Sequence, residues 1–194
     1  PLMGVSQIAV NNTNTVEWYV QNILLGSNVT VSNVTINGVA GNLQHDQVGE
    51  FTDPTSSVGL PTGMILATGN ANSASDLNLS TGASDPGIGF TNDADLDLIA
   101  SNDLYDKCIL EFDFIPTGDS INFNYVFGSE EYPEYVCSGF NDVFGFFLTG
   151  NNPSGGTYNS QNIALIPDPL VPGTYTNTAV AINTVNPGVP GSNG

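Results

Sequence analysis

Lys107 to Gly150 reads KCILEFDFIPTGDSINFNYVFGSEEYPEYVCSGFNDVFGFFLTG, and the fold class turns on its alternation. Cys108, Leu110, Phe112 and Phe114 fall on one face, and Ile109, Glu111, Asp113 and Ile115 on the other. This period of two is that of a half-buried strand. Pro116 to Ser120 supplies turn chemistry. Ile121, Phe123, Tyr125 and Phe127 then alternate with Asn122, Asn124 and Val126. Antiparallel pairing of the two runs predicts one apolar face and one polar face, with Glu111 and Asp113 opposite Asn122 and Asn124.

Outward from this stretch the same signature repeats. Asn28 to Asn37 (NVTVSNVTIN), Gly63 to Thr68 (GMILAT), Asp142 to Thr149 (DVFGFFLT), Asn162 to Pro167 (NIALIP) and Ala179 to Asn186 (AVAINTVN) are short apolar or alternating runs. Glycine, proline and asparagine passages separate them. Near the start, Val16, Tyr19, Val20, Ile23 and Leu24 recur at helical spacing, with Asn14 as N-cap and Gly26 past the end. The expectation is a mainly β chain, an antiparallel β-sandwich of jelly-roll type with one short N-terminal helix, forming a single domain over residues 1–194.

Composition narrows the function. Nineteen Asp and Glu stand against one strong cation, Lys107, for a formal net charge of −18. Nucleic-acid binding is excluded, because phosphate contacts need clustered Lys and Arg. Anionic membrane surfaces are excluded on the same ground. No stretch reaches the roughly 20 apolar residues of a membrane span. The chain begins at Pro1, which reads as a mature or trimmed form. Cys108 and Cys137 are an even pair. Joined, they would contribute roughly 3 to 4 kcal/mol on the chain-entropy model; two buried free thiols are the alternative.

The candidate sites are acidic. The loop GSEEYPEYVCSGFND presents Glu130, Glu131, Glu134, Asn141 and Asp142 beside Tyr132 and Tyr135. Hard oxygen donors of this kind suit Ca²⁺, with Glu130, Glu131, Asn141 and Asp142 as the expected ligands. The competing reading has these side chains closing turns on backbone N–H groups. Asp93, Asp95 and Asp97 recur at every second position and would add Asp93 and Asp95 to a cation site, or else form a helix N-terminus. They are no EF-hand, since Leu98 and Leu104 stand where its turn glycine and closing glutamate belong. Tyr132 and Tyr135, flanking Pro133, offer a stacking platform for a carbohydrate or a protein.

Catalysis finds little support. His45 is the only histidine and has no G-x-S-x-G or comparable nucleophile nearby. Glu111 and Asp113, two apart on one strand face, would sit roughly 6.5–7 Å from each other, inside the range of about 5 to 9.5 Å that glycosidases use. Neither has the evident apolar setting that a proton-donating catalytic carboxyl needs. The expectation is a non-enzyme.

Taken together, LPTGMILATG, DADLDLIA, the long central block, NIALIP and VAINTVN resemble the choice-of-anchor L domain of bacterial secreted and surface proteins. The resemblance runs from about Val20 to Asn186. It implies export and display at the cell surface, in a family frequent in Bacteroidetes that often carries a type IX secretion sorting domain. Partners would then be a glycan or protein on a surface, or neighbouring chains. Family members usually continue past the VAINTVN-like strand, so the chain is expected to be incomplete at its C-terminus, or completed by strand addition from another chain. The expected function is a Ca²⁺-stabilised, non-catalytic adhesion or binding module. The alternative is a structural subunit assembling through an open sheet edge.

Overall fold

A computed structural model describes residues 8–25, 29–76, 85, 93–100, 103–118, 120–131 and 135–186. Contacts divide the chain into two units. One is drawn from Pro1–Leu79, Ser84–Phe90 and Asp106–Val126, the other from Ser80–Ala83, Thr91–Tyr105 and Phe127–Gly194.

In the first unit, β1 (Ala9–Asn11) leads to helix α1 (Val16–Tyr19), which widens into a π-helical turn over Val20–Leu24. The N-cap is Thr15, one residue later than Asn14: its hydroxyl accepts from the backbone N of Trp18 at 3.2 Å. Then follow β2 (Thr30–Ile36), β3 (Val39–Ala40), β4 (Val48–Thr52), β5 (Thr62–Leu66), a 3₁₀ turn (Ala71–Ser75) and β6 (Leu110–Ile115). They form two antiparallel sheets, ordered β1-β4-β5 and β3-β2-β6.

Asn37 and Gly38 hold φ of 49° and 78°, and Ile36 pairs with Val39 across them. Two successive positive φ values are what a two-residue type I′ hairpin requires, which explains Asn-Gly at this point. Val16, Tyr19 and Val20 from the helix, Val34 and Ile36 from β2 and Val48 from β4 form the buried cluster. Met64, Cys108, Leu110 and Phe112 pack against it. Burying such a side chain contributes about 1.5–3 kcal/mol of transfer free energy. The half-buried row Leu110, Phe112, Phe114 against exposed Glu111, Asp113 and Ile115 is the alternation expected for this strand.

Its partner differs from the expectation. β6 pairs with β2, matching Ile36 to Leu110 and Thr30 to Ile115, and residues 121–127 form no strand. Ile121 and Phe123 do alternate with exposed Asn122 and Asn124, but Tyr125 and Val126 are both exposed and the pattern ends there. The polar face of β6 is therefore matched by β2. Asn33, in a bulge at φ 52°, donates to Asp113 at 2.6 Å, and Thr35 donates to Glu111 at 3.2 Å. The β2 ladder takes one edge of β6 and brings Val34 and Ile36 into the buried cluster, burial that the exposed Tyr125 and Val126 of 121–127 do not offer.

The second unit holds α2 (Ala94–Asp97), β7 (Val143–Phe144), β8 (Phe147–Asn151), β9 (Thr157–Asn162), β10 (Leu165–Pro167), β11 (Tyr175–Ala181) and α3 (Ile182–Val185). Its antiparallel sheets are β10-β11-β7 and β8-β9. The expected strand over 142–149 is broken at Gly145 and Phe146. A Cβ on Gly145 would lie 2.4 Å from the Phe147 ring. The run 179–186 is half strand and half helix, because Thr184 closes a turn by accepting from the Ala181 N–H at 2.8 Å. The architecture is mainly antiparallel β with few and short helices, as the patterning predicts.

Candidate functional site

The acidic turn of the second unit is assembled by its own polar side chains. Asp142 accepts from the Ser129 hydroxyl at 2.6 Å, and that hydroxyl accepts from the backbone N of Glu131 at 3.1 Å. Asn141 accepts from the backbone N of Asn183 at 2.9 Å, while the Asp142 carbonyl receives the Ile182 N–H at 3.0 Å. In return Asn183 accepts from the Cys137 N–H, which lets Cys137 hold φ 63°. The turn is thus fastened to the start of α3, and Ile182 and Val136 are buried nearby in sequence on either side of the fastening.

Within it, Glu130 and Asp142 are exposed, Glu131 and Asn141 half-buried. Tyr135 is half-buried and meets Phe140 edge-on, with ring centres 5.3 Å apart at 76°. Tyr132, Pro133 and Glu134 lie outside the described residues, so the platform expected of Tyr132 and Tyr135 is seen only at Tyr135.

Asp93 caps α2, accepting from the backbone N of Asp95 at 3.1 Å and of Leu96 at 2.9 Å. Asp95 accepts from the Ser160 hydroxyl at 2.7 Å, fixing the helix to β9. The Asp93 bonds are those expected of an aspartate at a helix start. Among the described residues no three His, Cys, Asp or Glu side chains converge as a metal-holding group.

Glu111 and Asp113 lie exposed on β6, each bonded to β2. His45 accepts from the backbone N of Gln47 at 3.3 Å. Its ring helps form the bend before β4 and has no hydroxyl or thiol bonded to it among the described residues. Cys108 and Cys137 are free thiols, the first half-buried in unit one and the second exposed in unit two. Burial pushes the Cys108 thiol up to about 12, and the backbone of Ala67 offsets only part of this.

Two polar groups that sequence reasoning missed are the buried ones. Gln47 and Asp53 have no exposed surface. Asp53 accepts from the Val58 N–H at 2.9 Å, the Ser57 hydroxyl at 2.8 Å, the Thr55 hydroxyl at 3.0 Å and the Thr55 N–H at 3.2 Å. The Val58 bond is the largest influence, opposed by desolvation and aided by Ser57 and Thr55, and the carboxyl falls from 3.8 to about 2. Its cover is its own turn rather than depth in the unit. The run DPTSS carried a signal, since Asp followed by Ser and Thr favours such self-bonded turns. Both residues hold the fold and have no catalytic geometry.

Residues 7–194 match the family model of the Choice-of-anchor L domain, and the chain belongs to that family. This places it among cell-surface related domains, in a family not known as enzymatic. No curated protein and no solved structure matches the chain. No helix among the described residues is long and apolar enough to cross a membrane.

Proposed function

We propose that this choice-of-anchor L domain is a secreted, non-catalytic binding or adhesion module displayed at the cell surface, acting as one domain over residues 1–194. One contrast carries the reading. Glu111, Asp113, Asp142 and His45 are bonded to their own scaffold, whereas several apolar and aromatic side chains are offered to solvent. Leu170 is 87% exposed, Tyr175 64%, Tyr105 64% and Phe140 54%. Exposed aromatic and apolar side chains of this kind suit contact with a partner. The test is retention of the purified chain on glycan- or protein-coated surfaces, with no turnover of the same glycans. Turnover that vanishes in Glu111→Gln would replace this reading with a carbohydrate-active enzyme.

Calcium belongs to the proposal. A net charge of −18 with a single strong cation favours bound counter-cations, and Glu130, Glu131, Asn141 and Asp142, with Asp93 and Asp95, bring hard oxygens. A rise in Tm in millimolar Ca²⁺ over chelator is expected. An unchanged Tm removes calcium and leaves the binding reading intact.

A second reading has one specific observation behind it. Among the described residues β6 ends its sheet, paired to β2 on one side only, and an open edge accepts a strand from another chain. Light scattering separates the two, since an assembling subunit would exceed the monomer mass.

A further inference from the structure

The first unit contains a depression that neither the acidic turns nor the family explains. Val16, Tyr19 and Val20 are buried, so α1 keeps Trp18 on its outer side, 39% exposed. Helical spacing groups Trp18 with Thr15, Gln21 and Asn22. Each neighbour is held in place. Asn22 Nδ2 donates to the Trp18 carbonyl at 2.8 Å, Gln21 Nε2 donates to the Val29 carbonyl at 3.2 Å, and Tyr19 meets the indole edge-on at 5.5 Å and 84°. Thr15, Glu17, Trp18, Gln21 and Asn22, with Val31 of β2, line an open depression of about 300 Å³. That is the lower end of the size of small-ligand sites.

We propose that this depression binds a neutral saccharide, one sugar ring stacking on Trp18 while Glu17, Gln21 and Asn22 take its hydroxyls. Four features of the lining favour that chemistry. A single exposed indole matches the apolar C–H face of a pyranose and has a polar edge of its own. The planar amides of Gln21 and Asn22, already fixed by backbone bonds, and the Glu17 carboxylate beside them accept from and donate to neighbouring hydroxyls, the amides with little ordering cost. Glu17 in the lining and the chain's net charge of −18 repel uronates, sulfated sugars and phosphates. One ring, rather than an aromatic cage, is a poor seat for a quaternary ammonium. The proposal rests on the reading of the chain as a binding module and names its ligand class.

Trp18 is the only tryptophan, so its emission reports on the site alone. The whole chain is titrated with cellopentaose, mannopentaose and chitopentaose, and separately with trigalacturonate and tetramethylammonium chloride. A saturable change with at least one neutral oligosaccharide, and none with the charged probes, is expected. Calorimetry should show Trp18→Ala binding that oligosaccharide about tenfold more weakly, with Trp18→Phe between. An unchanged urea midpoint shows that the variant is folded. Silence with all three neutral probes, or a response only to a charged one, overturns the proposal. So does full-strength binding by Trp18→Ala, which would leave the chain a binding module with its site elsewhere. A wild-type chain retained on no glycan or protein surface defeats the broader reading, and this site with it.

Discussion

The side-chain amide of Asn37 donates to Oε1 of Gln47 at 2.7 Å, joining the β2–β3 turn to the segment that enters β4. Gln47 Nε2 in turn donates to the Thr68 carbonyl at 2.7 Å and the Lys107 carbonyl at 2.8 Å. Asn37 also receives the Ile109 N–H on its own side-chain oxygen at 2.9 Å. One buried amide therefore connects four segments far apart in sequence, with both of its donors and its oxygen in use.

Gln47→Met keeps the volume and removes the three bonds that the Gln47 side chain makes. A lost internal hydrogen bond costs about 0.5–1.5 kcal/mol, and more where its partner stays buried, so the loss should be about 2–3 kcal/mol, read as a lower urea midpoint. A variant as stable as the wild type would show that water replaces the amide.

Asp53 should set the acid limit of the first unit. Its folded pKa is about 2 against an ordinary 3.8, so its stabilisation is complete above pH 3.8 and is lost as pH falls through about 2. Acidification also relieves the repulsion among the other carboxylates, which acts in the opposite sense. The difference between wild type and Asp53→Asn isolates the residue. That difference should be constant near neutrality and shrink between those two pH values.

The two cysteines should differ sharply in reactivity. Cys137 is exposed, whereas burial holds the Cys108 thiol at about 12, and only the thiolate is nucleophilic. Iodoacetamide at pH 8 should add one label quickly and a second only on unfolding. Two equal rates would contradict the placement of Cys108. An intact mass unaffected by alkylation without reductant would instead reveal a disulfide.

Gly41 packs tightly against Val34 of β2. A Cβ there would lie 2.7 Å from Val34 Cγ1 and 3.1 Å from its Cβ and carbonyl oxygen. Gly41 also donates to the Val34 carbonyl at 2.7 Å and receives the Glu17 N–H at 2.8 Å, so it cannot retreat without breaking α1 from the turn. Gly41→Ala should cost about 1–3 kcal/mol by overpacking; Gly38→Ala strains only a turn and serves as the comparison.

The elements that rest on local chemistry were legible in the sequence. The alternation of 110–115, the GMILAT strand and the helical spacing of Val16, Tyr19 and Val20 each follow from residues within one turn or pleat of each other. That β2 and not 121–127 pairs with β6 was not legible, because both runs have matching periodicity and the burial of Val34 and Ile36 depends on contacts far apart in sequence. Gln47 was invisible for the same reason: Asn37, Thr68 and Lys107 lie 10, 21 and 60 residues from it. The aspartates at 93 and 142 were visible as a cluster of charge. That each is engaged with a nearby hydroxyl or backbone amide depends on turn geometry that spacing leaves open.

The hold on the Lys107 carbonyl also bears on survival outside a cell. With one Lys and no Arg in the chain, a trypsin-type protease has a single peptide bond to attack, between Lys107 and Cys108. Cleavage needs that bond drawn out into an extended strand in the enzyme's cleft, and here its oxygen is gripped from inside by Gln47. Digestion therefore has to wait for that bond and the segment around it to open, and at high protease the rate at which two fragments appear becomes a direct clock of that opening.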